Sequence, residues 1–473
     1  MKVSRSLCLA AVLATIVGCS DSSDSPAQPE VTPPPPPPPA VQPAQLRVTH
    51  AGADAPDVNV YVDGELALEE VAFRQSSGLL TIDNPGSIEV EVRGVLADGS
   101  EVTVIGPVEL VLEEGVRTDV VAYDALFDAD GELNLKAKVL DPVAIEEDIS
   151  GVRVSVMHAA PVAGDVDIYV TGPDDPLASA APIDAGFGDA LGPLALEPDT
   201  DYRVRITGDG SDAVVYDSGI LSFPAGTEVL VLAINNTFKV GSNPVNLLAV
   251  GAEGATEVVD PSMGASVRVV HNSADTPAVD VIVDGATVLA NVPFPAASAY
   301  GDIEVPAGTY NVVVAANADN SIAPIDVDLA LEQTASYTVL ALGSFAANSI
   351  EALVTSDDRR NIATAARVEV IHGSSIVAGE IPVDVYLTAD GVIADADAAI
   401  SDLAYPGTTG QIALTPGNYW VTVTAAGDKS VVAFDSGGTV TLEGGVNYTV
   451  IARDPSPAEI AGSPLIELTI LVD

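Results

Sequence analysis

The chain has 473 residues, with 68 Asp or Glu against 18 Lys or Arg and a formal net charge of -50. Hydrophobic residues make up 48% and aromatics only 4%. The wealth of Val, Ile and Leu excludes an acidic disordered chain. The scarcity of cations excludes a nucleic-acid binder, because duplex DNA is held by Lys and Arg on its phosphates.

Lys2 and Arg5 precede an apolar run at residues 7–17. That run is too short to span a bilayer and suits a signal peptide. It ends in Ile16-Val17-Gly18-Cys19, which resembles the lipobox of bacterial lipoproteins. The resemblance implies a signal peptide at residues 1–18, cleavage before Cys19 and lipidation of Cys19. Ser20 follows where an Asp would favour inner-membrane retention, so the expected location is the outer membrane of a Gram-negative cell envelope. The other cysteine, Cys8, lies in the signal, which leaves no pair for a disulfide. Residues 19–44 read as a linker. Residues 33–39 are an unbroken run of seven prolines, a stiff polyproline II spacer of roughly 22 Å at about 3.1 Å per residue.

Four copies of one unit follow. Each opens on a β-like segment ending in histidine: His50, His158, His271 and His372, spaced by 108, 113 and 101 residues. A second strand comes next, as in Val58-Asn59-Val60-Tyr61-Val62 and Val279-Asp280-Val281-Ile282-Val283. A proline turn follows at Pro85, Pro198, Pro306 and Pro416, and a late strand ends near Ala122, Ala233, Ala341 and Ala452. Alternation is plain in the first copy, where Ile88, Val90 and Val92 oppose Glu89, Glu91 and Arg93. Residues 403–427 carry no charge, but Pro406 and Pro416 make them strands and turns rather than a membrane span. So few aromatics also argue against a transmembrane barrel, which needs aromatic girdles. The fold class predicted is all-β: four tandem immunoglobulin-like or transthyretin-like antiparallel β-sandwiches at 45–141, 151–253, 265–354 and 365–473.

The segments Arg268-Val269-Val270-His271-Asn272-Ser273-Ala274-Asp275-Thr276-Pro277 and Val305-Pro306-Ala307-Gly308-Thr309-Tyr310 resemble the bacterial domain-of-unknown-function family 4397. The first copy is also close, through His50 to Pro56 and Val60-Tyr61-Val62-Asp63-Gly64. The second and fourth depart in the loop after His158 and His372. The resemblance covers residues 45–473 and implies an extracytoplasmic β-sandwich repeat with no established activity and no catalytic residues.

The repeated histidine is the one tempting catalytic group. Each stands two residues after an inward valine, as Val48 precedes His50, so it should close the buried face of its strand with a structural hydrogen bond. Asp167, Asp280 and Asp384 alternate with inward residues on the second strand and should face outward, with Asn59 in the same place in the first copy. One His per copy is too few for zinc without other ligands. Asp128-Ala129-Asp130-Gly131-Glu132 fails the EF-hand pattern, since Gly falls fourth and Val139 twelfth. No cofactor is implied, with irregular calcium sites in inter-domain loops as the alternative. The acid excess suits a halophilic or marine setting, where salt screens self-repulsion.

The expected function is a non-enzymatic lipoprotein that meets the membrane through its anchor. Its repeats would serve surface binding, adhesion or envelope architecture, with a surface glycan or protein as ligand and no nucleic acid. The alternative is an enzyme, or a carbohydrate- or metal-binding protein, with a site between repeats. Polar connectors at 141–150, 254–264 and 355–364 predict four separate beads.

Overall fold

The computed structural model describes residues 41–146, 149–375, 381–456 and 465–473. The signal peptide and most of the proline linker lie outside these residues. No described helix is long and apolar enough to cross a membrane.

Strands account for the architecture, as the period-2 pattern requires. In the first unit they are β1 (Ala44–His50), β2 (Val58–Val62), β3 (Glu65–Val71), β4 (Leu80–Ile82), β5 (Ser87–Val95), β6 (Glu101–Val111), β7 (Val116–Tyr123), β8 (Lys136–Val139) and β9 (Val143–Ala144). One sheet has the order β4-β1-β7-β8, with β9 also on β7; the other has the order β3-β2-β5-β6. Val48, Val60, Val92 and Leu110 meet between them in one core. The same pair of sheets recurs in the other three units.

The sheets are antiparallel except for one pair in each unit. There the first strand runs parallel to the late strand, and the histidine stands opposite the late alanine every time: His50 with Ala122, His158 with Ala233, His271 with Ala341 and His372 with Ala452. The chain leaves the first sheet after β1, builds the second, and re-enters beside its starting point. Such a crossover is what a parallel pair needs.

The expectation of separate beads is wrong. The central strands of the first sheets are apolar on both faces, as in Glu228–Asn235, whose Leu230, Leu232 and Ile234 are fully buried. A strand covered on both sides reads as a continuous apolar run rather than an alternation. The second face is covered by a neighbouring unit. Phe73, Val121 and Tyr123 of the first unit share a core with Met157, Leu230 and Leu248 of the second. Val270, Leu340 and Leu342 of the third do the same with Ile371 and Ile451 of the fourth. The connectors are built in as well. Ala255–Val258 adds a strand to the second unit, and Glu351–Asp357 is an edge strand of the third.

A fragment of residues 41–473 should therefore scatter as one body, with a radius of gyration of about 22 Å from the scaling for folded domains. A value of about 35–40 Å, expected for four beads of roughly 13 Å spaced apart, would contradict this packing.

Candidate functional site

The four histidines are all buried, each about 1% exposed. The Nε2 of His50 faces the Pro56 carbonyl at 3.0 Å, that of His158 the Gly164 carbonyl at 2.6 Å, and that of His271 the Pro277 carbonyl at 3.1 Å. In each case the carbonyl lies six residues on, in the loop that leads to the second strand. The Nδ1 atoms accept backbone N–H groups two residues on, from Gly52, Ala160 and Ser273 at 3.2–3.4 Å. A carbonyl on one nitrogen and an N–H on the other select the neutral ring with its proton on Nε2. Burial lowers the pKa of His50 to about 4, and it lowers those of His271 and His372, the last opposed by a hydrogen bond with the Ile381 backbone.

Sequence reading missed the partner of each ring. Phe73, Phe187, Phe294 and Tyr405 stand edge-on to His50, His158, His271 and His372, with ring centroids 6.4, 6.0, 6.0 and 5.6 Å apart. A signal existed: the chain has only 8 Phe, and three of them fall at this recurring place. Ring, loop carbonyl and aromatic edge together pin the loop after the first strand. Such a histidine holds a loop and has no spare nitrogen for acid–base work in the first three units.

The second-strand acids lie off the core face, as alternation requires, but they are not wet. Asp167, Asp280 and Asp384 are buried, as is Asn59. The edge strand beside them makes a bulge with a left-handed residue, at Glu70, Asn291 and Asp402 with φ of 48°, 57° and 58°. The backbone N–H of that residue donates to Asn59, Asp280 and Asp384 at 2.7, 2.8 and 2.9 Å. Asp384 also accepts from Gly427 N–H at 2.9 Å, and Asp167 from Gly210 N–H at 3.1 Å. The facing is as expected; their burial comes from backbone folded over them, a bulge beside Asn59, Asp280 and Asp384 and the turn at Gly210 beside Asp167. The Asn291 N–H and the Asn317 amide hold the Asp280 carboxyl below the usual range.

Other acids serve turns. Asp128 accepts the N–H groups of Asp130 and Glu132 at 2.9 and 3.0 Å, so its carboxylate caps its own loop. Asp98, Asp319 and Asp428 each accept from a serine two residues on, the local bond that makes Asp a turn residue. Among the described residues no group of three or more His, Cys, Asp or Glu is placed to hold a metal ion.

The spaces between units hold arginine. Arg47 is buried, paired through Nε with Asp119 at 2.6 Å, and its Nη1 donates to the Val250 and Gly251 carbonyls of the second unit at 3.0 Å. Arg117 bridges to Glu228 at 2.6 Å across the same seam. Arg268 of the third unit donates to Thr449 of the fourth at 2.9 Å. The supposedly flexible connector before the fourth unit is a hub. Arg360 donates to the Ala53 carbonyl at 2.8 Å, also reaches the Ala55 carbonyl, and lies over the Phe73 ring, all in the first unit. Arg359 donates to the Lys239 carbonyl of the second unit at 2.9 Å and binds Asp473 through two nitrogens at 2.7 and 2.8 Å.

Comparison with known proteins agrees with the repeat assignment. The family described as "Domain of unknown function (DUF4397)" matches two regions, residues 44–150 and 265–386, which is consistent with repeats of this domain family. No curated protein matches the chain. Among solved structures, the Bacillus anthracis TIE protein is 11% identical, with a TM-score of 0.14, covering 88% of this chain and 69% of that one. A putative adhesin from Bacteroides ovatus is also 11% identical, with a TM-score of 0.13, covering 44% of this chain and 92% of that one. At such scores neither likeness bears on function.

Two outcomes follow. Arg47→Ala should cost about 2–4 kcal/mol in urea unfolding, because it leaves two carbonyls without their donor and the buried Asp119 with Arg117 alone; a loss under about 1 kcal/mol would show the seam does not need it. The His50 ring should stay neutral in NMR titration until about pH 4. Its folded pKa is depressed, so the unfolded chain takes the proton first. Its contribution is whole above about pH 6.5 and is lost as pH falls through about 4. Burial pushes Glu369 the opposite way, upward, so its contribution fades as pH rises. The residue-specific titration, rather than the summed stability curve, is the clean measurement.

Proposed function

We propose that this protein is a non-enzymatic, lipid-anchored component of the cell envelope, probing its surroundings with one rigid anionic body. The reading rests on one observation above all: a lipobox at Cys19 and a seven-proline spacer stand directly before four interlocked sandwiches. The anchor would sit in the outer membrane of a Gram-negative cell envelope, given Ser20 after Cys19. The spacer lifts the body off the bilayer. The body then acts in adhesion, in surface binding of a glycan or protein, or in envelope architecture.

The distribution of charge supports a role in a saline setting. Arg47, Arg117, Arg268, Arg367 and Arg453 are buried, and with 68 Asp or Glu against 18 Lys or Arg the remaining cations neutralise little of the solvent-facing acid. Repulsion among surface carboxylates is screened by salt, whereas the buried pairs are insulated from it. The melting temperature should therefore rise between low ionic strength and about 0.5 M salt. A flat or falling curve would contradict the picture.

Anchoring is tested by mass spectrometry of the mature N-terminus from the native host. A diacylglyceryl-modified Cys19 is expected, and Cys19→Ala should accumulate as unprocessed precursor. A free thiol at Cys19, or cleavage elsewhere, sinks the proposal. Glycan-array and pull-down measurements with residues 41–473 then identify the ligand class.

A further inference from the structure

The four sandwiches are not equally filled. The gaps between their sheets measure about 60, 80 and 20 Å³ in the first, second and third units, but about 270 Å³ in the fourth. We infer that the fourth sandwich is a binding chamber for a single uncharged hydrocarbon chain. The inference goes beyond the anchoring proposal and does not depend on it.

The chamber is not a product of a general loss of side-chain bulk. Strand register aligns most of the fourth unit with the third. Leu387, Leu414 and Phe434 stand where the third unit has the smaller Val283, Val305 and Ile325, and Val440 where it has Leu329. The register breaks opposite Val421, where the fourth unit bulges at Ser436-Gly437-Gly438 and the third pairs Val312 with Val327. The core valine at that place, Val327, has no apolar counterpart in the fourth unit, which opens space between the sheets. An empty apolar void costs stability in proportion to its volume. It also stays dry, and a cavity of about 150 Å³ already admits a benzene ring.

The lining selects the ligand. It is aliphatic and aromatic apart from His372 and Glu467, and its hydroxyls are engaged elsewhere. Tyr419 donates to the Thr415 carbonyl at 2.5 Å, and Tyr448 accepts from the Glu443 N–H at 2.9 Å. His372, at one end, is kept from charging by burial. A ligand anion inside would find no cationic partner, which is prohibitive in an apolar site. The lining runs from Tyr419 to Val423 along one strand, about 14 Å at the strand rise of roughly 3.4 Å per residue. That length, with a volume of about 270 Å³, suits one extended chain. Entry lies along the edge formed by Asp428–Leu442 and Glu467–Val472, where the lining residue Ile470 is 45% exposed.

The test uses the full folded chain and isothermal titration calorimetry with decanol and with decanoate. One decanol per chain should bind. Decanol should bind at least about tenfold more tightly than decanoate, since only the latter carries a charge to desolvate. Val385→Phe and Val423→Phe, which fill the chamber, should each abolish uptake without lowering the melting temperature. Several results would overturn the inference: no uptake by the native chain, uptake undiminished in both filled variants, or decanoate matching decanol. If neither filled variant folds, the spare space does not exist, and the inference falls equally.

Discussion

Arginine bonded to backbone carbonyl across a seam is the interaction on which this architecture depends. A chain with a net charge of -50 has every electrostatic reason to hold its four sandwiches apart. Apolar faces join the first unit to the second and the third to the fourth. Polar contacts then tie the pairs together through Arg359 and Arg360, which reach the second and first units from the connector before the fourth. The guanidinium suits this task. It stays charged, it presents several donors in a fixed plane, and it stacks on rings such as those of Phe73 and Tyr300. Lysine, a compact and strongly hydrated point charge, would desolvate at greater cost and reach fewer carbonyls.

The same choice shapes the surface. Cations placed in seams cannot neutralise carboxylates outside, so the exterior remains anionic. Part of that acid has local work. Asp98, Asp319 and Asp428 close turns, and Asp280 and Asp384 hold bulges. Acid content in this chain is therefore the sum of two demands, turn geometry and solvation, and only the second depends on salt. In the first three units the histidine rings fasten the turn after the first strand to the sandwich rim.

Much of the unit was legible in the sequence. The histidine and the late alanine were visible as landmarks, and they turn out to be register partners in all four copies. Alternation in Ile88, Val90 and Val92 located an inward face correctly. What alternation cannot show is who covers the other face. The runs around Leu230 and Leu340 carried that information as continuous apolarity, which a reading tuned to one-sided strands passes over. The connector at Arg359 and Arg360 was composed like a flexible stretch, and its role depends on carbonyls hundreds of residues away. The aromatic partners of the histidines sit at variable spacing, 23 to 33 residues on, so no fixed motif marks them. The chamber in the fourth sandwich is hard to see in sequence because its lining largely matches that of the filled third sandwich, and the bulge at Ser436-Gly437-Gly438 shows only in the strand register.

The central claim is that the seams make four sandwiches into one cooperative body. The chain offers a direct probe, because its one tryptophan, Trp420, lies in the fourth unit alone. Urea unfolding of residues 41–473, followed at once by Trp420 fluorescence and by far-ultraviolet circular dichroism of all the strands, tests it. Coincident transitions are predicted, the mark of a single unfolding unit. A fluorescence transition well separated from the circular dichroism transition would mean that the fourth sandwich unfolds by itself and that the arginine seams do not couple the units.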